Sequence, residues 1–163
     1  MSAISDALAR AAGWGDPHTV KDNPFRLACV IEPPAELSEV ETAWSGGSVP
    51  SDLAELWSLA GGGRLFEDID HGQWGLRILS PVESAERTSV ERSTRPHDYL
   101  DGDVVLGEFL GDQDLLVVTA SGGVLIALPL DPRGDWWRPA PDLGDFLKRY
   151  VQADGLKYWE SCG

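Results

Sequence analysis

The sequence predicts an α+β fold: an antiparallel sheet of about five to six strands with helices packed on one face. Three observations predict it. The first 63 residues carry apolar side chains mostly at helical spacing. Residues 74–130 carry them in short runs separated by tight turns, and a last helical pattern closes the chain. At 163 residues there is room for one hydrophobic core and not for two, so residues 1–163 read as one domain.

In order, residues 4–12 favour helix, with Ile4, Leu8 and Ala11 on one face and Gly13 and Gly15 as the stop. Residues 27–31 read as a short strand closed by Pro33 and Pro34. Residues 36–44 place Leu37, Val40 and Trp44 on one stripe of a helix that is acidic outside and ends at Gly46-Gly47. Pro50-Ser51-Asp52 opens another helix, with Leu53, Leu56 and Trp57 on one side. Ser51 or Asp52 is its expected cap, and Gly61-Gly62-Gly63 its expected left-handed close.

From residue 74 the period changes. Trp74, Leu76 and Ile78 alternate with Gly75, Arg77 and Leu79, which reads as a strand. Residues 81–92 are polar and compatible with a short helix. Residues 104–110, 115–119 and 124–130 are strands joined by turns short enough for antiparallel hairpins. After Trp136 and Trp137, Leu143, Phe146, Leu147, Tyr150 and Val151 mark a final amphipathic helix capped by Asp142.

The charge is lopsided, with 27 Asp and Glu against 13 Lys and Arg, a net −14. Such a field repels phosphate backbones and anionic membranes and draws cationic partners. No basic cluster is visible, so nucleic acid is not an expected partner. Nor is a membrane, because no apolar run approaches the length of a span. The N-terminus lacks a basic region followed by an apolar core, which makes the cytoplasm the expected location. Cys29 and Cys162 supply neither a disulfide framework nor a metal-binding spacing.

Catalytic chemistry has little support. His18, His71 and His97 are far apart and turn-bound. Asp68, Asp70 and His71 are the best metal or hydrolase candidates, yet alternation on a strand would split them between two faces. Gly61-Gly62-Gly63-Arg64 follows a helix instead of preceding one, so it is no phosphate cradle. No cofactor and no metal are expected. The acids are more informative by position. Residues 98–114 hold Asp98, Asp101, Asp103, Glu108, Asp112 and Asp114 without a Lys or Arg, and Glu67, Asp68 and Asp70 form a second such run. If the β-meander brings these together, they form a negative patch rimmed by Trp74, Trp136 or Trp137. Solvated loop tips, where Asp serves turns, are the alternative.

The order of motifs resembles the SUKH superfamily, which includes cell-wall-assembly-regulator-like proteins and bacterial toxin immunity proteins. The carriers are residues 36–44 with Glu41, the helix start Val49-Pro50-Ser51-Asp52-Leu53 with Leu56-Trp57, and the turn Gly61-Gly62-Gly63. Further on come Trp74-Gly75-Leu76, Gly111-Asp112-Gln113-Asp114-Leu115, Ser121-Gly122-Gly123-Val124 and the closing Asp142-Leu143-Gly144-Asp145-Phe146-Leu147. They cover residues 33–152 and leave 1–32 as an N-terminal extension. Val49, Ala60-Gly61 and Leu143 depart from the usual Leu, Asn and Phe.

The resemblance implies a non-enzymatic binding domain, an immunity protein that neutralises a cognate polymorphic toxin, such as a basic nuclease, by covering its active surface. The alternative within the same superfamily is a regulatory or scaffold module unconnected to a toxin. The expected contact residues are Glu67, Asp68, Asp70, Trp74, Asp101, Asp103, Asp112, Asp114 and Trp136.

Overall fold

The computed structural model describes residues 2–45 and 49–160. The Gly46-Gly47 helix stop and Cys162 lie outside them. Among the described residues the helices are α1 (Ala3–Ala12), α2 (Leu37–Ala43), α3 (Ser51–Leu59), α4 (Pro81–Thr94) and α5 (Leu143–Gln152). The strands are β1 (His18–Val20), β2 (Asn23–Ile31), β3 (Gly63–Asp68), β4 (Leu76–Ile78), β5 (Val104–Phe109), β6 (Leu115–Val118), β7 (Val124–Ala127) and β8 (Trp137–Ala140). They form one sheet in chain order, every neighbouring pair antiparallel. No helix among these residues is long and apolar enough to cross a membrane.

The α+β class and the hairpins around Gly111 and Gly122 match the pattern, but the sheet has eight strands instead of five to six. The additions have physical reasons. β1 is three residues long with one apolar side chain, too short for a periodic signal. β8 contains Pro139, which demotes a strand to the sheet edge, and β8 is an edge strand. In β3 the register against β2 shifts, and Phe66 adopts a left-handed φ of 55°. The bulge turns Leu65 and Phe66 into the same core, which erases the alternation.

α1, α3 and α5 carry Ile4, Leu8, Leu56, Trp57, Phe146 and Tyr150 into the main core, against Leu76, Leu106, Leu116 and Ile126 of the sheet. Sheet residues of opposite facing, Val105, Val117 and Leu125, form a smaller cluster with Tyr99 and Trp136. α4 departs from the expectation that all helices share one face, for it contributes no side chain to either apolar cluster. The polar stretch at 81–92 is a helix as expected, 14 residues long and opened by a reciprocal Ser80–Glu83 cap, and it completes an edge of β5. β4 pairs only with Gly107–Phe109. Where it ends, Ser84 Oγ donates to the Val105 carbonyl at 2.6 Å, and the Val105 amide donates to Thr88 Oγ1 at 2.9 Å. Two hydroxyls stand where a strand's backbone would be.

Two local expectations are corrected. α3 has no side-chain cap from Ser51 or Asp52, because Pro50 occupies the cap position. Nor does the glycine triplet stop α3 by a left-handed turn, since Ala60 ends it in extended conformation. The glycines serve a close approach: the Gly61 amide donates to the Pro33 carbonyl at 2.8 Å, and a Cβ on Gly61 would stand 2.7 Å from that oxygen.

Replacing Thr88 by Val keeps the shape and removes the acceptor for a fully buried amide. Thr88→Val should cost about 1–3 kcal/mol in urea unfolding, and Thr88→Ser, which retains the hydroxyl, clearly less. Equal losses in both variants would refute the role of the hydroxyl.

Candidate functional site

The β5–β6 hairpin does approach the β3–β4 loop. The Leu110 amide donates to the Gly75 carbonyl at 2.8 Å. Gly111, at φ +99°, lies so close to Gln73 that a Cβ would stand 2.3 Å from its carbonyl oxygen. The acids on these loops are nevertheless largely occupied within the chain. Asp68 is 1% exposed and accepts from the amides of Asp70, His71 and Gln73 at 3.1–3.2 Å. It holds the loop's shape, while the His71 ring lies edge-on to Phe25, so Asp68, Asp70 and His71 do not converge. Asp70 forms a two-point pair with Arg26 at 2.7 and 3.0 Å, and that hydrogen bonding holds its carboxyl below the usual range. Glu67 faces Arg64 at 3.5 Å.

Asp112 and Asp114 flank Lys157, whose side chain is only 7% exposed. Its ammonium hydrogen-bonds Asp112 and lies 5.4 and 5.3 Å from the ring centres of Trp74 and Phe109. Trp74 is half-buried and donates its indole N–H to the Gly155 carbonyl at 3.1 Å. This group therefore fastens the C-terminal segment to the sheet. Burial holds Lys157 below its usual range. Asp114 stands 3.8 Å from the ammonium, beyond hydrogen-bond reach, and burial with the nearby Glu160 pushes it up to about 6.

Asp103 and Trp136 belong to a different place. Asp103 precedes β5 and Asp112 follows it, so six strand residues set them about 20 Å apart. Asp103 is 1% exposed, paired with Arg133 at 2.5 Å, and accepts from the Leu100 amide at 2.7 Å. Trp136 is buried between the guanidiniums of Arg95 and Arg133 and donates to the Asp131 carbonyl at 3.0 Å. One continuous patch is thus not formed. Of the nine expected contact residues, Asp68, Asp103, Asp114 and Trp136 are buried. Asp101 alone is an exposed acid without an ion pair. Cys29 packs under Phe66, and burial raises its thiol to about 11, far from a nucleophile's range.

The free negative surface lies elsewhere. Residues 27–63 contain no Lys or Arg but hold Glu32, Glu36, Glu39, Glu41, Asp52 and Glu55. None of the six forms an ion pair among the described residues. Glu55 accepts from the Ser2 hydroxyl, whereas Glu32, Glu36, Glu39 and Glu41 are exposed. α2, which carries Glu39 and Glu41 and is capped by Glu36, has no fully buried residue and displays Leu37 at 71% exposure. Glu32 and Glu39 also line a cavity of about 410 Å³, which Arg64, Arg77 and Glu83, all outside that stretch, border as well. A count of bases along the chain gives two equal stretches without one, 27–63 and 96–132, and of the two only 27–63 has no carboxylate in an ion pair among the described residues. No family model matches the chain, and a search of curated proteins returns no match either.

The raised Asp114 has a signed consequence. The folded chain binds this proton more tightly than the unfolded one, so stability falls as pH rises from about 4 to 6 and the penalty persists above 6. Asp114→Asn should remove that component, gaining on the order of 1 kcal/mol on the parent protein at pH 7 relative to pH 4. Parallel stability-versus-pH curves for the two proteins would rule out the raised carboxyl.

Proposed function

We propose that this chain is a non-enzymatic protein-binding domain, a SUKH-like immunity protein that acts in the cytoplasm and neutralises a cationic toxin domain by covering it. One observation carries the reading: the exposed, unpaired carboxylates of Glu32, Glu36, Glu39 and Glu41 around an exposed Leu37, in a stretch without a single base.

The physics favours a partner there. Glu36 and Glu39 are three residues apart at the start of α2 and like-charged. A cationic surface placed over them replaces repulsion with attraction and raises the rate of encounter. Leu37 supplies an apolar anchor ringed by charge, the arrangement of a contact whose centre is dry and whose rim is polar. None of these four carboxylates takes part in the fold's own ion pairs among the described residues.

An immunity role places a large secreted protein with a basic C-terminal domain in the gene's neighbourhood. The purified chain should bind that domain with an affinity falling about tenfold or more between roughly 50 and 300 mM salt. Glu39→Lys with Glu41→Lys should weaken binding by a further factor of about ten without loss of thermal stability. Binding indifferent to both salt and charge reversal would overturn the reading, and tight binding to an ordinary cellular protein would favour the regulatory module instead.

A further inference from the structure

The cations of this acidic protein are not evenly placed. Most are locked to carboxylates; Arg10, Lys21, Arg92, Arg138 and Lys148 hold no ion pair among the described residues, and of these Arg138 lies in β8 beside α5. A cavity of about 780 Å³ opens there, between the β6–β7 turn, β8 and α5, within the usual size range of small-molecule sites. Three guanidiniums reach it from separate segments: Arg133 from the turn before β8, Arg138 from β8 and Arg149 from α5.

We propose that this cavity binds a small phosphate ester. Arg133 is fixed in the wall by Asp103 at 2.5 and 3.3 Å and by the Asp98 carbonyl at 3.0 Å, with its charge matched by that carboxylate, so the uncompensated cation of the cavity is Arg138. Arg149 engages Asp145 through Nε at 3.0 Å, leaving its terminal nitrogens as donors. Arg138 is exposed and has no hydrogen-bond or ion-pair partner, so its whole planar fork is available. Planar guanidiniums meet phosphate oxygens two at a time, which an isolated ammonium does not. The hydroxyls of Thr119 and Ser121, 3.1 Å apart, add donors on the opposite wall.

The same lining limits the ligand. Leu100 and Pro139 give the cavity apolar surface for a ring or short chain. Asp101, exposed and without a cation, repels a long polyanion and accepts from a hydroxyl. A compact monoester fits these demands, whereas a nucleic-acid strand meets the net −14 of the chain beyond the cavity. The site is separate from the acidic face of α2, and its occupancy does not depend on the toxin-binding reading.

Titration calorimetry with phenyl phosphate, at ionic strength held constant with sodium chloride, tests the proposal. Saturable binding to one site in the range of about 0.1–5 mM is expected, with phenol inert. Arg138→Ala and Arg149→Ala should each weaken it by about tenfold, Arg138→Lys by less, and Arg64→Ala on the far side of the sheet not at all. The Arg138 side chain is exposed and makes no hydrogen bond or ion pair among the described residues, so the melting temperature of Arg138→Ala should equal that of the parent protein. Absence of saturation by about 10 mM, or equal binding by the parent and Arg138→Ala, would overturn the site.

Discussion

A carboxylate removed from water must find a cation or a set of hydrogen-bond donors, and this chain has 13 cations for 27 carboxylates. That shortage organises the molecule. Asp103, almost fully buried, takes Arg133, and Glu108 takes Arg77 and Arg87 together. Asp112 and Asp114 gather about Lys157, and Asp68 is satisfied by three backbone amides without any cation. Cations concentrate where an unpaired charge costs most. The carboxylates left over are the ones water can reach, and from residue 27 through α2 and α3 they have no base among their sequence neighbours. The binding face is in this sense the remainder of the folding problem.

The sheet decides where that remainder appears. A meander of eight antiparallel strands puts sequence neighbours side by side, so each loop emerges at one end or the other of the strands it joins. β5 thereby separates Asp103 from Asp112 and divides the acids of 98–114 between two structural tasks. α2 and α3 leave the sheet together between β2 and β3; α3 buries Leu53, Leu56 and Trp57 fully in the core, whereas α2 reaches it only with the partly buried Val40 and the following Trp44. α2 is held at the surface without a fully buried side chain, which exposes Leu37 and its flanking glutamates.

Much of the architecture is legible in the residues themselves. The spacing of Leu143, Phe146, Leu147, Tyr150 and Val151 identifies α5 and its buried face, and Asp142 caps it by accepting from the Asp145 amide at 2.8 Å. The glycine-bearing turns identify the β5–β6–β7 hairpins. β3 is hidden because a bulge at Phe66 destroys its alternation, whereas the helix at 81–92 is legible but its packing is not, because it buries the hydroxyls of Ser84 and Thr88 in place of apolar side chains. The acidic runs at 65–75 and 98–114 are visible in sequence, but their partners are not. Arg133 lies 30 residues from Asp103, and Lys157 lies 45 from Asp112. The free face at 27–63 is equally hidden, since 98–114 lacks local cations too and only the fold shows which of the two stretches receives distant ones.

The account stands on the location of the unneutralised charge. Nuclear magnetic resonance titration of the ¹⁵N-labelled chain with a short lysine-rich peptide reads that location directly. Amide shifts should move first around Glu32, Glu36–Glu41 and Leu37, and the movement should shrink as salt is added. Shifts confined to the loops at Asp68–Asp70 and Asp112–Asp114, with α2 unmoved, would contradict it.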